Sequence, residues 1–339
     1  MSSVAVYVGL DYHQMRVQVC ILDAEGNVLL NRKVENRVAV IASTVKRFGQ
    51  PLAVAVEACC GAADLAEKLH KRTEWSVSLA HPGFVARMKQ SPDKTDYGDA
   101  RLLADLLRVG YLPKVWLAPE DVRQLRQLVR YRGQLVDHRR NVKLRIRALL
   151  RENRLRCPLQ VNPWRVPWLR WVAETEELTG DMRWVMDRHL KELTRLNEQI
   201  VEVEKRLKER AADDAVIGKL LTFAGIGLIT AVMLRAEIGN FDRFKNGKQL
   251  SRFCGLSPRN VSSGERQADA GLIRAGNPQL RCVLIQLGHR IARRLDGRWV
   301  GLVHGLLSRG KPKNVVVAAV ANRYMRWLHY QMQPDQLAS

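Results

Sequence analysis

The chain has 339 residues, 46% of them hydrophobic, with 56 Lys and Arg against 34 Asp and Glu, a formal net charge of +22 and an isoelectric point near 10.2. That length and apolar content supply one elaborate core or two ordinary ones and exclude a disordered polyelectrolyte. No run approaches the roughly 18 to 20 apolar residues of a membrane helix, the start MSSVAVYVGLDYH carries no signal-peptide pattern, and the six cysteines lack the C-x-x-C spacing of a zinc ribbon and give no disulfide framework.

A cytoplasmic protein without a membrane partner is therefore expected. Its charge is unevenly spread. Residues 1–100 hold 12 basic and 11 acidic side chains, whereas 121–156 hold 12 and three, and 259–326 hold 13 and three. A near-neutral front joined to strongly basic surfaces points to a polyanion as partner, and nucleic acid fits best because phosphate neutralisation supplies much of such binding.

In chain order, VAVYVGL (4–10), MRVQVCIL (15–22) and NVLLNRKV (27–34) are β-branched runs joined by DYHQ and DAEG, which predicts three hairpin-linked strands. IASTVKRF reads as a helix, PLAVAVEA (51–58) as a buried strand, AADLAEKLHKR as a helix and WSVSLA as a strand. DKTDYGDARLLADLL (93–107) then reads as a helix with Leu102, Leu103, Leu106 and Leu107 on its apolar face. Strands leading into alternating strand and helix make a mixed α/β domain over about residues 1–115.

The character then changes to long helices over 116–212. Leu128, Leu135, Val142 and Leu149 recur every seven residues, and Leu193, Leu196, Ile200, Val203 and Leu207 keep the 3-4 alternation of a coiled-coil seam. An antiparallel pair linked by CPLQVNPWRVPW is expected, with Arg139, Arg140, Lys143 and Arg147 on the first helix as candidates for phosphate contact. From 213 to 339 the chain reads as an all-α C-terminal domain. IGKLLTFAGIGLITAVMLRAEIG has the pattern of a helix-hairpin-helix, in which Gly225 and Gly227 let backbone approach a phosphate and the N–H groups near Thr230 point outward. A short helix, a Ser/Gly/Pro-rich loop, a basic helix from about Asn277 and a last helix over KNVVVAAVANRYMRWLHY follow.

Acids give the chain its chemistry. Asp96 and Asp99 fit two readings: Asp96 as a helix N-cap with Asp99 in the first turn, or two carboxylates on one helix face ready to share a cation. Asp11 follows the first strand and Glu57 ends the fourth, where carboxylates make poor caps. If those strands are neighbours, four carboxylates converge and require Mg²⁺ or Mn²⁺ to compensate their repulsion. Two such ions activate a nucleophile and stabilise the leaving oxygen of a phosphodiester.

With GLDYH, VEA, KTDYGDARLLADLL and GLSPRNVSSG before GLIRAGNPQLRCVLIQ, the chain resembles the DEDD transposases and DNA invertases of the Piv type over nearly its whole length. The resemblance implies a RuvC-type, RNase H-like domain whose catalytic acids fall on Asp11, Glu57, Asp96 and Asp99, and a nucleophilic serine at Ser263, with Ser262 as the neighbouring register. Arg259 and Arg266 stand near that serine in the sequence to hold a phosphate, and Arg274 is a further candidate for nucleic-acid contact. The resemblance also implies donor and target duplex DNA as substrates, a bridge RNA as guide, dimers assembling into a tetramer with composite sites, and a bacterial nucleoid location. Alternatives are a Mg²⁺-dependent, Holliday-junction-type endonuclease using water, an invertase working without RNA, and a non-catalytic scaffold.

Overall fold

The computed structural model describes residues 5–89, 95–158, 161–260, 269–293 and 297–333. The chain forms two compact units, divided after Pro119.

The first unit contains β1 (Ala5–Tyr12), β2 (Arg16–Leu22), β3 (Val28–Glu35), α1 (Val38–Lys46), β4 (Gln50–Glu57), α2 (Ala62–Thr73), β5 (Val77–Ala80), α3 (Pro82–Met88), α4 (Asp96–Arg108) and β6 (Lys114–Val115). The sheet order is β3-β2-β1-β4-β5-β6. β1 pairs antiparallel with β2 and parallel with β4, as the expected neighbour relation requires. Side chains alternate across the sheet. Val6, Val8 and Leu10 of β1, Val17, Val19 and Ile21 of β2, and Val54 and Val56 of β4 pack on the α1 and α2 side. The opposite parity meets α4: Cys20 and Leu22 lie with Ala100 and Ala104, and Ala53 and Ala55 lie with Leu103 and Leu107. β2 is buried from Val17 to Leu22 because both its faces are covered.

The second unit contains α5 (Glu120–Glu152), α6 (Val166–Glu174), α7 (Gly180–Ala211), α8 (Ala215–Leu221), α9 (Leu228–Ile238), α10 (Gly247–Phe253), β7 (Pro258–Asn260), β8 (Asp269–Leu272), α11 (Pro278–Ala292), α12 (Val300–Leu307) and α13 (Lys313–Gln331). α5 and α7 run antiparallel: Arg132 bonds Glu204, while Arg139, further along α5, bonds Asn197, earlier in α7. One hydrophobic cluster, from Leu125 to Met332, joins this pair to the C-terminal helices. Buried Glu237 of α9 ties them further, accepting hydrogen bonds from Arg130 at 2.9 and 3.1 Å and from Asn277, the N-cap of α11, at 2.8 Å. Among the described residues no helix is long and apolar enough to cross a membrane.

Candidate metal centre

Parity and register bring the acids to one place. Asp11 has the parity of Gly9 and Glu57 that of Ala53 and Ala55, so both belong to the α4 face. The parallel register pairs Leu10 with Val56, which puts Asp11 and Glu57 side by side one step further on, at the C-terminal edge of adjacent strands. α4 crosses this face because Gly9 leaves room: a Cβ there would lie 2.6 Å from the Ala104 nitrogen and closer still to the Ala100 carbonyl oxygen. Along α4, Asp96 and Asp99 precede Ala100, Leu103 and Leu107 on the inward stripe at helical spacing.

The capping reading of Asp96 is corrected by the structure. Thr95 is the N-cap, its hydroxyl accepting from the Gly98 N–H at 3.1 Å, and Asp96 is already helical. Its carboxylate is thereby left for other partners. The Asp11, His13 and Asp96 ligand atoms all lie within 4.8 Å of one another, with His13 Nε2 at 3.3 Å from Asp11 Oδ2 and 3.4 Å from Asp96 Oδ1. His13 and Asp96 border a cleft of about 500 Å³ with Arg16, Gln18 and Lys33. Asp99 is 7% exposed and ion-paired with Lys89. Glu57 is half-buried at the same sheet edge, outside the three-residue group.

Electrostatics fit a cation at this place. Burial pushes the Asp11 carboxyl up; His13 offsets this in part, and Asp96 and Asp99 reinforce it. Lys33, 2.6 Å from Asp96, holds that carboxyl below the ordinary range, chiefly through its hydrogen bond. Burial first, then Glu57, Cys60 and Asp11, push the Cys59 thiol up. Lys33 and Lys89 thus balance negative charge that a hard divalent ion with oxygen ligands would otherwise balance, and the donor set of carboxylates plus one imidazole suits such an ion.

Family models described as "Transposase", of the DEDD IS110 type, and "Transposase IS116/IS110/IS902 family" match residues 8–154 and 218–303. The transposase for insertion sequence element IS1328 of Yersinia enterocolitica is 30% identical over 322 residues, 94% of each chain. The chain belongs to the IS110 family of insertion-sequence transposases. A probable family 20 transposase of Pseudomonas aeruginosa is 29% identical over 95% of each chain. The transposase for insertion sequence element IS1111A of Coxiella burnetii is 27% identical over 94% of this chain and 88% of that one. This IS110-family member is accordingly a DNA transposase, acts on DNA and, as a DEDD-type enzyme, depends on a divalent metal.

The remaining sequence-predicted residues of the transposase are dispersed. Ser263, Ser262 and Arg266 lie outside the described residues, in the chain between the paired strands β7 and β8. Arg259 and Arg274 are exposed. On α5, Arg139 donates to Asn197 across the seam at 3.2 Å, Arg140 is exposed near Asp137, and Lys143 and Arg147 cover the ring of Trp164 at 4.8 and 5.3 Å. Gly225 has φ of +88° between α8 and α9, and a Cβ there would press on Leu287 at 3.1 Å, so its inner side packs on α11. Gly227 is open. Thr230 is buried and accepts a hydrogen bond from Arg290, so its hydroxyl points inward. His13 is the residue that sequence reasoning overlooked. Its place two positions after Asp11, beyond the strand, was the available signal.

Proposed function

We propose that this transposase cuts and rejoins donor and target DNA through Ser263, with Asp11, Glu57, Asp96 and Asp99 holding Mg²⁺ or Mn²⁺ and a bridge RNA directing it to its sites. The observation that carries the reading is the convergence of Asp11, Asp96 and His13 at the edge of two parallel strands. A divalent ion held there supplies Lewis-acid stabilisation of charge developing on the phosphoryl oxygens. Asp11 and Asp96 provide oxygen ligands and His13 a nitrogen ligand, while Lys33 and Lys89 neutralise the acids in the metal-free protein.

At the serine, an Oγ–P bond forms and the P–O3′ bond breaks, leaving a phosphoserine and a 3′-hydroxyl that takes the proton. Attack by an exchanged 3′-hydroxyl reverses these changes, so rejoining needs no external energy source. Arg259, Arg266 and Arg274 are suited to hold the phosphate by charge-assisted hydrogen bonds. Gly225 and Gly227, in a helix-hairpin-helix reading of α8 and α9, together with Arg140, Lys143 and Arg147 of α5, give sequence-independent backbone contacts. Two dimers would bring the two duplexes together.

Purified protein is to be incubated with Mg²⁺, donor and target DNA, with and without RNA transcribed from the sequence flanking the gene, and resolved on a denaturing gel. A protein–DNA adduct that needs the RNA and is lost in Ser263→Ala is the expected result. An adduct of equal yield without RNA removes the guide from the proposal. Nicked DNA without adduct, unaffected by Ser263→Ala, replaces the serine with water.

A further inference from the structure

In the second unit an open groove of about 880 Å³ lies between α10, α11 and α13, with the β7–β8 hairpin forming one wall through Pro258, Gly271 and Leu272. Its floor is apolar, with Leu256, Ile285, Val317 and Ala318. Its rim is cationic. Lys248, Arg323 and Arg326 border both this groove and an adjoining one of about 620 Å³ that contains Arg298, Trp299 and Trp327.

Among the described residues neither groove has an Asp or Glu in its lining, and none of these four cations makes an ion pair. Elsewhere in the unit Arg130, Arg132, Arg183, Arg195 and Arg235 are all paired with carboxylates. A row of unpaired cations over an apolar floor, ending in two indoles, is the chemistry of a strand that lays phosphates on the rim and unstacked bases inside. Arg298 already stacks on Trp327 at 5.4 Å, which keeps a planar cation at the mouth.

We infer that this double groove binds an unpaired segment of DNA beside the paired strands β7 and β8, between which Ser262 and Ser263 lie in the sequence. The inference rests on the chain being a DNA transposase for the identity of the polyanion, and it extends the Ser263 reading by giving the strand a track. The volume lies in the range that encloses a small ligand, which fits splayed bases and excludes the bulk of a duplex. The strand is assigned as DNA because the chain is a DNA transposase; at the groove the amide hydrogens of Asn322 are given to Ser251 Oγ at 2.7 Å and the Leu256 carbonyl at 3.1 Å.

The test is fluorescence-anisotropy binding of a labelled single strand, without divalent metal, to the full-length wild-type and Lys248→Glu/Arg323→Glu proteins. A charge-matched control, Lys46→Glu/Arg72→Glu, changes exposed residues of the first unit. The groove variant is expected to bind single-stranded DNA about tenfold more weakly than the control. Its slope of log affinity against log salt should fall by about 1.4, at roughly 0.7 for each lost phosphate contact. Wild-type protein should prefer the DNA strand to RNA of the same sequence and to the blunt duplex.

Equal loss in the groove and control variants, or preference for RNA or duplex, overturns the inference. Should the groove variant misfold, photocrosslinking of wild-type protein to a 5-iododeoxyuridine strand decides: adducts on Trp299 or Trp327 support the groove, and adducts confined elsewhere refute it. Because binding is read without metal, Ser263→Ala protein should bind as wild type. Failure of the serine chemistry and failure of the groove therefore give different results.

Discussion

Gly9 of β1 lies directly beneath the backbone of Ala100 in α4, with no space between them for a side chain. This contact sets the height of α4 above the sheet, and therefore the distance from Asp96 to Asp11. Gly9→Ala must lift or tilt the helix, since backbone atoms rather than a flexible side chain stand in the way. The expected cost is about 3 kcal/mol, the upper end for overpacking. Urea unfolding of the isolated variant checks it, and DNA cleavage should fall with it. A variant of wild-type stability would mean that α4 is not seated on Gly9.

Metal binding separates ligands from the cations that stand near them. Asp11→Asn, Asp96→Asn and His13→Ala should each weaken Mn²⁺ binding by about tenfold or more, the scale on which even supporting groups at metal sites act. Lys33→Ala should do the opposite and strengthen it a few-fold, because the 2.6 Å contact with Asp96 competes with the ion. The effect is small since Lys33 is half exposed and such pairs are worth at most about 1 kcal/mol. Calorimetric titration reads all four. Weaker binding in Lys33→Ala would make the lysine a supporter of the site rather than a stand-in.

The two carboxylates respond to pH in opposite ways. Asp11, raised by burial, takes up a proton earlier on acidification than an ordinary carboxylate; Asp96, lowered by its hydrogen bond to Lys33, takes one up later. Metal affinity should fall as pH falls, and of the two carboxylates Asp11 is protonated before Asp96. In metal-free protein the contribution of the raised Asp11 to folding is fully present below its unfolded value and is lost as pH rises through its folded one. The lowered Asp96 favours folding above its unfolded value, and this is lost as pH falls through its folded one. Mn²⁺ titrations at descending pH should decline more steeply for wild type than for Asp11→Asn, and parallel declines would refute the assignment.

Glu237 is the buried acid that joins α5, α9 and α11. Glu237→Ala leaves Arg130 and Asn277 without their acceptor, while Arg126 loses a 3.8 Å ion pair but keeps its bond to the Ala236 carbonyl. Removing one partner of a buried pair costs about 3 to 5 kcal/mol; here about 2 to 3 is expected, because half-exposed Arg130 can turn to water. Thermal unfolding is the measurement. A loss below about 1 kcal/mol would show that the apolar cluster alone holds these helices.

Much of the first unit was legible. The strand containing Asp11 and the one containing Glu57 were placed within two residues of their observed ends, because β-branched runs and turn residues mark them strongly. Their adjacency was a conditional inference from alternation of strand and helix, and the sheet order fulfils it. Thr95 was passed over as cap because Asp96 is an equally good residue type for that position, and only backbone conformation separates them. α3 escaped notice since its Pro82-Gly83 start reads as a turn and Val85 is its one buried residue. α12 has no buried residue and carries Gly301 and Gly305, so it has neither period nor propensity to betray it. His13 joined the site through a tertiary approach to Asp96 across more than eighty residues of sequence, of which its place two positions after Asp11 gave a local hint. The charge of Arg139 is visible in sequence, whereas its acceptor Asn197 on α7 is recorded by no pattern in the first helix.

Mass spectrometry of the reaction tests the serine reading most directly. Trypsin should release the peptide from Asn260 to Arg266, which contains both Ser262 and Ser263. After incubation with Mg²⁺, DNA and RNA, followed by nuclease digestion, that peptide is predicted to carry a nucleotide mass on Ser263, absent when Asp11→Asn protein is used. An unmodified peptide from a reaction in which the DNA has been cut would contradict a covalent serine intermediate.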